Sequence, residues 1–250
     1  MSGSEVQKPP PLAKALYRAR QGDSPCAACD VRHLAVCSAL EESDLNELEA
    51  ILHHTQLSAG DTLFDEGEPS TNVYNLTTGC LKLYKLLPDG RRQVTGFLFA
   101  GDFVGLANRD EYIYSAEAVS AITLCRFEKR KLDQLMHDHI NFERRLLGMA
   151  RFELAEAQDQ ILMLGRKTAM ERISSFILML SERAKRRGDP DNPVGLPMSR
   201  NDIGDYLGLT TETVSRTITR LRKSGTISLD TDHKVIINDR EALVEIAEGY

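Results

Sequence analysis

Apolar residues recur along this chain with three different rhythms. Between residues 41 and 53 (EESDLNELEAILH), Leu45, Leu48, Ile51 and Leu52 fall at helical intervals behind Ser43, which is placed as an N-cap, so a helix is predicted. From about Gln56 to Phe127 the rhythm shortens. Small apolar runs alternate with turn signals at Ala59-Gly60-Asp61, Glu66-Gly67-Glu68-Pro69, Thr78-Gly79, Pro88-Asp89-Gly90 and Ala100-Gly101-Asp102. Strands punctuated in this way predict a β-sandwich or barrel. CLKLYKLLPDGRRQVTGFLF reads as a hairpin turning at Pro88-Asp89-Gly90. Then the period lengthens. Leu147, Ala150, Leu154, Ala157, Ile161 and Leu164 alternate three and four apart, a heptad seam. Such a stripe packs either on its own domain or on a second copy; small Ala150 and Ala157 allow close approach and favour a parallel dimer. A separate helix is predicted for ERISSFILMLSERAKRR, followed by a loop, RGDPDNPVGLP.

Near the C-terminus two helical segments stand close together. Ser199 caps the first, which runs to Leu207; Gly208-Leu209 makes the turn; Thr210 caps the second, which ends at about Lys223 before Gly225. Ile203 and Leu207 face Val214, Ile218 and Leu221, which fixes the angle between the helices. Glu212, Ser215, Arg216 and Thr219 then share the opposite, exposed face. An exposed Arg takes guanine O6 and N7 together, and a Glu accepts from cytosine N4. Arg222 and Lys223 suit phosphates. The segment TISLDTDHKVIIN completes the pattern as a β-wing, so the module is predicted to read double-stranded DNA.

Composition sharpens this picture. A length of 250 residues has room for two domains. No apolar run approaches the roughly 18 residues a membrane helix needs. The first 22 residues are polar and proline-rich, read as a flexible tail without a secretory core, and a reducing cytoplasm is expected. The net charge of −6 lies in the first 164 residues, with 17 basic and 24 acidic; the remainder carries 14 basic and 13 acidic. DNA affinity must therefore come from a local face such as Arg216, Arg220, Arg222 and Lys223.

Five cysteines, an odd count, argue against a disulfide framework. Three of them, Cys26, Cys29 and Cys37, follow a C-x2-C-x7-C spacing that can turn thiolates onto one ion or cluster. A closed site needs a fourth ligand, for which Cys125 and Cys80 are candidates; either also fits a buried core thiol. His33 reads as solvated, and His137 and His139 as surface loop residues. A thiol redox enzyme built on Cys26 and Cys29 lacks a surrounding βαβ pattern, and no phosphate-binding glycine loop, paired catalytic carboxylates or Ser–His arrangement stands out.

With these parts in order, the chain resembles the cyclic-AMP receptor protein / fumarate-nitrate regulator superfamily over residues 24–245, and within it the oxygen-sensing fumarate-nitrate regulator branch. The resemblance is carried by the cysteine triplet, QVTGFLFAGDFVGL, ILMLGRKTAMERISSFILMLSERAKRRG and GDYLGLTTETVSR. It implies an α+β fold: residues 23–137 a cysteine segment and β-roll sensor, 138–165 a dimerisation helix, and 166–250 a winged helix-turn-helix. It implies one [4Fe-4S] cluster per subunit on Cys26, Cys29, Cys37 and Cys125, destroyed by oxygen so that the homodimer loosens and DNA is released. It implies a palindromic TTGAT…ATCAA operator read by Glu212, Ser215 and Arg216, and RNA polymerase contacts around Val94–Gly96 and Gly101. Two departures matter. Where cyclic-AMP-binding relatives carry Arg-Ser, this chain has Tyr114-Ser115, with Asp110 and Glu111 nearby, so a cyclic nucleotide lacks its charge partner. Where oxygen-gated members can carry an acid on the seam, this chain has Ala157, which implies a smaller oxygen switch.

Overall fold

The computed structural model describes residues 24–105, 110–232 and 234–250; the tail read over residues 1–22 lies outside them. Helix α1 (Leu45–Ile51) follows two 3-10 turns, Val36–Ala39 and Glu42–Asp44. Leu45 and Leu48 are buried as the helical spacing requires. The predicted cap is displaced: Asp44 occupies the N-cap position, and Ser43 donates its hydroxyl to the Asp44 carboxylate. The helix also stops earlier than its apolar spacing suggested. Leu52 pairs with Phe127 and opens a strand, so the ladder prevails over helical periodicity.

Eight strands follow: β1 (Leu52–Leu57), β2 (Thr62–Phe64), β3 (Asn72–Thr78), β4 (Cys80–Leu86), β5 (Arg92–Phe99), β6 (Phe103–Val104), β7 (Ser115–Ala118) and β8 (Ile122–Glu128). They form two antiparallel sheets, ordered β1-β8-β3-β6 and β2-β7-β4-β5. Leu76, Leu81, Leu98, Ile122 and Leu124 fill the space between them. The β4–β5 hairpin turns at Pro88-Asp89-Gly90 as its sequence predicts. At the β3–β4 turn only glycine fits: Gly79 has φ +82°, and a Cβ there would stand 2.3 Å from the Ala121 carbonyl oxygen.

Helices α2 (Lys129–Asp138) and α3 (Ile140–Arg166) come next. His137 is therefore helical rather than in a loop, and His139 alone separates the two helices, paired with Glu47. Phe142 and Leu146 on α3 pack with Val36, Leu40, Leu45 and Leu48. Leu147, Leu154 and Ile161 on the other face are 50–71% exposed, with Ala150 and Ala157 open beside them and Leu164 half-buried. The stripe is thus not spent on its own chain.

Helix α4 (Ala169–Arg186) begins with a capping box between Thr168 and Glu171. The C-terminal module comprises α5 (Arg200–Leu207), α6 (Thr211–Lys223), β9 (Ile227–Leu229), β10 (Val235–Ile237) and α7 (Arg240–Glu248). Its core is continuous with the sandwich: Phe97 on β5 packs against Phe176 and Tyr206. Beside these rings lies an ion network. Lys82 reaches Glu117 at 2.7 Å and Asp202 at 2.9 Å, while Arg92 reaches Asp202 at 2.9 Å and Asp205 at 2.8 Å.

Candidate metal centre and nucleic-acid interface

Cys26 and Cys29 lie in tight turns that begin at Ser24, and Cys37 in the 3-10 turn after them. Cys125 stands in the middle of β8, between His54 on β1 and Asn75 on β3. These four cysteines line one cavity, together with His54, Asn75, Thr77, Thr78 and Thr123. Cys80 is not among them; it is buried beside Phe99 in the second core. Among the described residues no three His, Cys, Asp or Glu side chains converge tightly enough to chelate one ion. His33 is exposed, as expected of a solvated ring.

All five thiols are free. Burial pushes Cys37 up to about 11 and Cys125 up to about 12, and raises Cys26 and Cys29 as well; each feels added repulsion from neighbouring acidic or thiol groups. Protonated thiols are poor nucleophiles, and metal binding at such thiols releases their protons.

Several supporting residues were not legible in advance. Glu49 accepts from the Ser24 hydroxyl and, at 3.0 Å, from the Cys26 amide, pinning the first turn. Arg32 donates to the Leu40 carbonyl at 2.8 Å, and Arg145 on α3 donates to the Leu34 carbonyl at 2.7 Å. These are contacts between residues up to 111 apart, for which no local pattern exists.

The reader forms from local rules. Ser199 and Asp202 make a capping box on α5, Gly208 closes it in the left-handed region, and the Thr210 hydroxyl caps α6 by accepting from the Thr213 amide. Gly204 is required inside α5, since a Cβ there would stand 2.6 Å from the Leu209 carbonyl oxygen. Val214, Ile218 and Leu221 are buried under α5. Glu212, Ser215, Arg216, Thr219, Arg222 and Lys223 are all exposed on α6. Arg216 and Glu212 hold each other at 3.4 Å, one turn apart. The wing is present: β10 pairs antiparallel with β9, Ile236 opposite Ser228.

Residues 171–246 match the Crp-like helix-turn-helix domain family, and residues 54–139 match the cyclic nucleotide-binding domain family. The nitrogen fixation regulation protein FixK of Bradyrhizobium diazoefficiens is 42% identical over 82% of this chain and 86% of its own length. The fumarate and nitrate reduction regulatory protein of Escherichia coli is 33% identical over 89% of this chain and 90% of its own. The chain belongs to the Crp/Fnr family of transcription regulators. Another relative, the transcriptional activator protein FnrL of Cereibacter sphaeroides, is 35% identical over 89% of this chain and 91% of its own. The solved structure of FixK2 from Bradyrhizobium japonicum superposes with a TM-score of 0.73 at 35% identity, covering 78% of this chain and 97% of that one. The family is one of DNA-binding regulators, not enzymes. Among the described residues no helix is long and apolar enough to cross a membrane.

In this Crp/Fnr chain Tyr114 lines a cleft between the sandwich and α3, with Glu153, Glu156 and Arg183. Glu153 lies on the open side of the cleft, yet desolvation by its packed wall, then Asp102 and Glu156, push its carboxyl up to about 7. Arg183 is already engaged, donating to the Phe97 carbonyl at 2.7 Å and to Asp102 at 2.9 Å. Ser115 accepts from the Glu66 amide. Of the segment expected to meet RNA polymerase, Val94 is fully buried and Gly101 lies under Leu34, while Thr95 between Val94 and Gly96 is exposed. The β4–β5 turn of that sheet is also accessible, with Leu86 and Leu87 exposed.

Proposed function

We propose that this protein is an oxygen-responsive transcription regulator that holds a [4Fe-4S] cluster on Cys26, Cys29, Cys37 and Cys125 and reads a palindromic operator as a homodimer. The observation that carries the reading is the meeting of four thiols, one of them 88 residues after the nearest of the others, around one cavity while Cys80 stays outside. A tetrahedral zinc draws its thiolates to within about 4 Å of one another, given Zn–S bonds near 2.3 Å. No such group exists among the described residues; the four thiols share a cavity without closing on one ion. Bound there, the cluster would supply an oxygen-labile centre.

The chain's own residues do the rest. Glu49 and Arg32 fix the cysteine turns, and Arg145 ties them to α3. The exposed stripe of Leu147, Ala150, Leu154, Ala157, Ile161 and Leu164 supplies the partner face. Two copies then present α6 to successive major grooves, with Glu212, Ser215, Arg216 and Thr219 at base edges and Arg222 and Lys223 on phosphates. RNA polymerase is the second macromolecular partner, met around the exposed Thr95 on β5 and the neighbouring β4–β5 turn. A cyclic nucleotide is disfavoured because the cleft sets Glu153 and Glu156 against a phosphate and its Arg183 is already committed.

Anaerobic reconstitution tests this. About four irons and matching sulfide per chain are expected, with visible absorption that bleaches in air. Cys125→Ser should abolish uptake and Cys80→Ser leave it intact. A wild-type chain that remains colourless and iron-free, or a Cys125→Ser variant that loads normally, would sink the assignment.

A further inference from the structure

One side-chain oxygen lining the thiol cavity has no partner of its own. Asn75 lies in the middle of β3, directly opposite Cys125 in the antiparallel register. It is only 4% exposed, and its Oδ1 has no hydrogen-bond partner. Its Nδ2 reaches the Leu76 carbonyl at 3.4 Å, at the limit of a hydrogen bond. The other polar groups around the cavity differ. Thr77 and Thr78 are bonded to Thr123, and His54, on the other side of Cys125, is open to water. A buried, unsatisfied carboxamide in a strand interior is costly where a β-branched apolar residue would pack without penalty.

Directly opposed residues of an antiparallel pair point to the same side, with Cβ atoms about 5 Å apart. Asn75 and Cys125 therefore face the same cavity from adjacent strands. We propose that Asn75 is the hydrogen-bond partner of the Cys125 sulfur and sets the oxygen sensitivity of the site. The inference rests on the cluster reading and deepens it. A carboxamide carries an acceptor and a donor that rotation about its last bond exchanges. Beside the free Cys125 thiol Oδ1 stays unpaired. Toward a metal-bound thiolate, which has only lone pairs to offer, Nδ2 donates. A donor at a ligand sulfur favours the more negatively charged, reduced state and raises the reduction potential. Asn75 thereby makes electron loss to oxygen harder.

The test compares wild type with Asn75→Leu, close to Asn in size but without a polar group, and with Asn75→Asp, which adds negative charge. Each is reconstituted anaerobically, assayed for iron and sulfide, and mixed with air-saturated buffer while the visible absorption is followed. Asn75→Leu should load as wild type and bleach on the order of tenfold faster, the rate equivalent of one lost hydrogen bond. Asn75→Asp should bleach faster still. Normal loading with bleaching rates within about twofold of wild type would overturn the role of Asn75, whereas a wild type that takes up no iron or sulfide would overturn the cluster reading instead. If Asn75→Leu does not fold, the unmutated chain decides. With asparagine labelled by 15N, the reduced, paramagnetic site should show a nitrogen hyperfine coupling, and its absence would overturn the proposal.

Discussion

Replacing Lys82 by Met would withdraw an ammonium from the junction between the sandwich and the reader. The Lys82 side chain is 6% exposed and its partner Asp202 9%. Removing one member of a buried pair costs about 3–5 kcal/mol, because the remaining charge is left uncompensated. Here Arg92, a quarter exposed, still holds Asp202 at 2.9 Å, so the cost falls to about 2–3 kcal/mol. For a chain of this length 1 kcal/mol moves Tm by about 2–4 °C, so Lys82→Met should lower it by about 4–12 °C. Asp202→Asn removes the same pairing and weakens the capping box with Ser199. The two changes should not add: a double-mutant cycle in urea, at fixed chain concentration, should give a coupling of about 1.5–3 kcal/mol. The pH dependence has a definite sign. Burial alone would raise the Asp202 carboxyl, but Lys82 and Ser199 bonds hold it below its ordinary value. Its contribution is therefore full above the unfolded value near 4 and is lost as pH falls through the lower folded one. Additivity within about 0.5 kcal/mol would refute the reasoning and mean that the reader is not docked on the sandwich through these ions in solution.

The remaining expectations concern separate surfaces. Arg216→Ala should cost about 1–3 kcal/mol of operator affinity and relax base preference, seen by fluorescence anisotropy on cognate and scrambled duplexes. Lys223→Ala should instead weaken both duplexes alike and reduce the salt slope by about 1. Ile161→Glu places a charge on a seam position that is 71% exposed and should shift sedimentation from dimer to monomer with folding intact. His139 is raised from its ordinary value first by its hydrogen bond to Glu47, so its contribution is present below about pH 6.5 and lost as pH rises through the folded value. The stability gap between wild type and His139→Gln should accordingly be present at pH 6 and close at alkaline pH.

What was legible followed from local rules. The capping residues Ser199 and Thr210 and the glycine turn are chemical signals confined to a few residues, so the reader could be drawn residue by residue. The hairpin at Pro88-Asp89-Gly90 was legible for the same reason. Misreadings came where distant partners intervene. Leu52 has helical spacing but meets Phe127, and His137, expected in a surface loop, lies on a helix. The thiol site was half legible. Spacing announced Cys26, Cys29 and Cys37, while family resemblance nominated Cys125. Asn75, Glu49 and Arg145 carry no pattern, because their meaning depends on which strand or helix lies opposite.

The two proposed sites meet on α3, and magnitudes limit how they can be coupled. Phe142 and Leu146 face the cysteine loop, while Leu147, the next residue, faces outward on the seam. Gly101 lets Leu34 approach so that Arg145 can hold its carbonyl; a Cβ at Gly101 would stand 2.6 Å from that of Leu34. Moving a two-state equilibrium from 1:99 to 99:1 takes about 5.5 kcal/mol. The Arg145 bond, a charged donor on a neutral carbonyl, supplies at most about 1.5–3 kcal/mol. Burial of Val36 and Leu40 supplies about 1.5–3 kcal/mol each. No single contact suffices, but the loop from Leu34 to Leu40 acting as a unit does. A switch at Cys37 therefore has to undock the whole loop from α3 before the seam can register it.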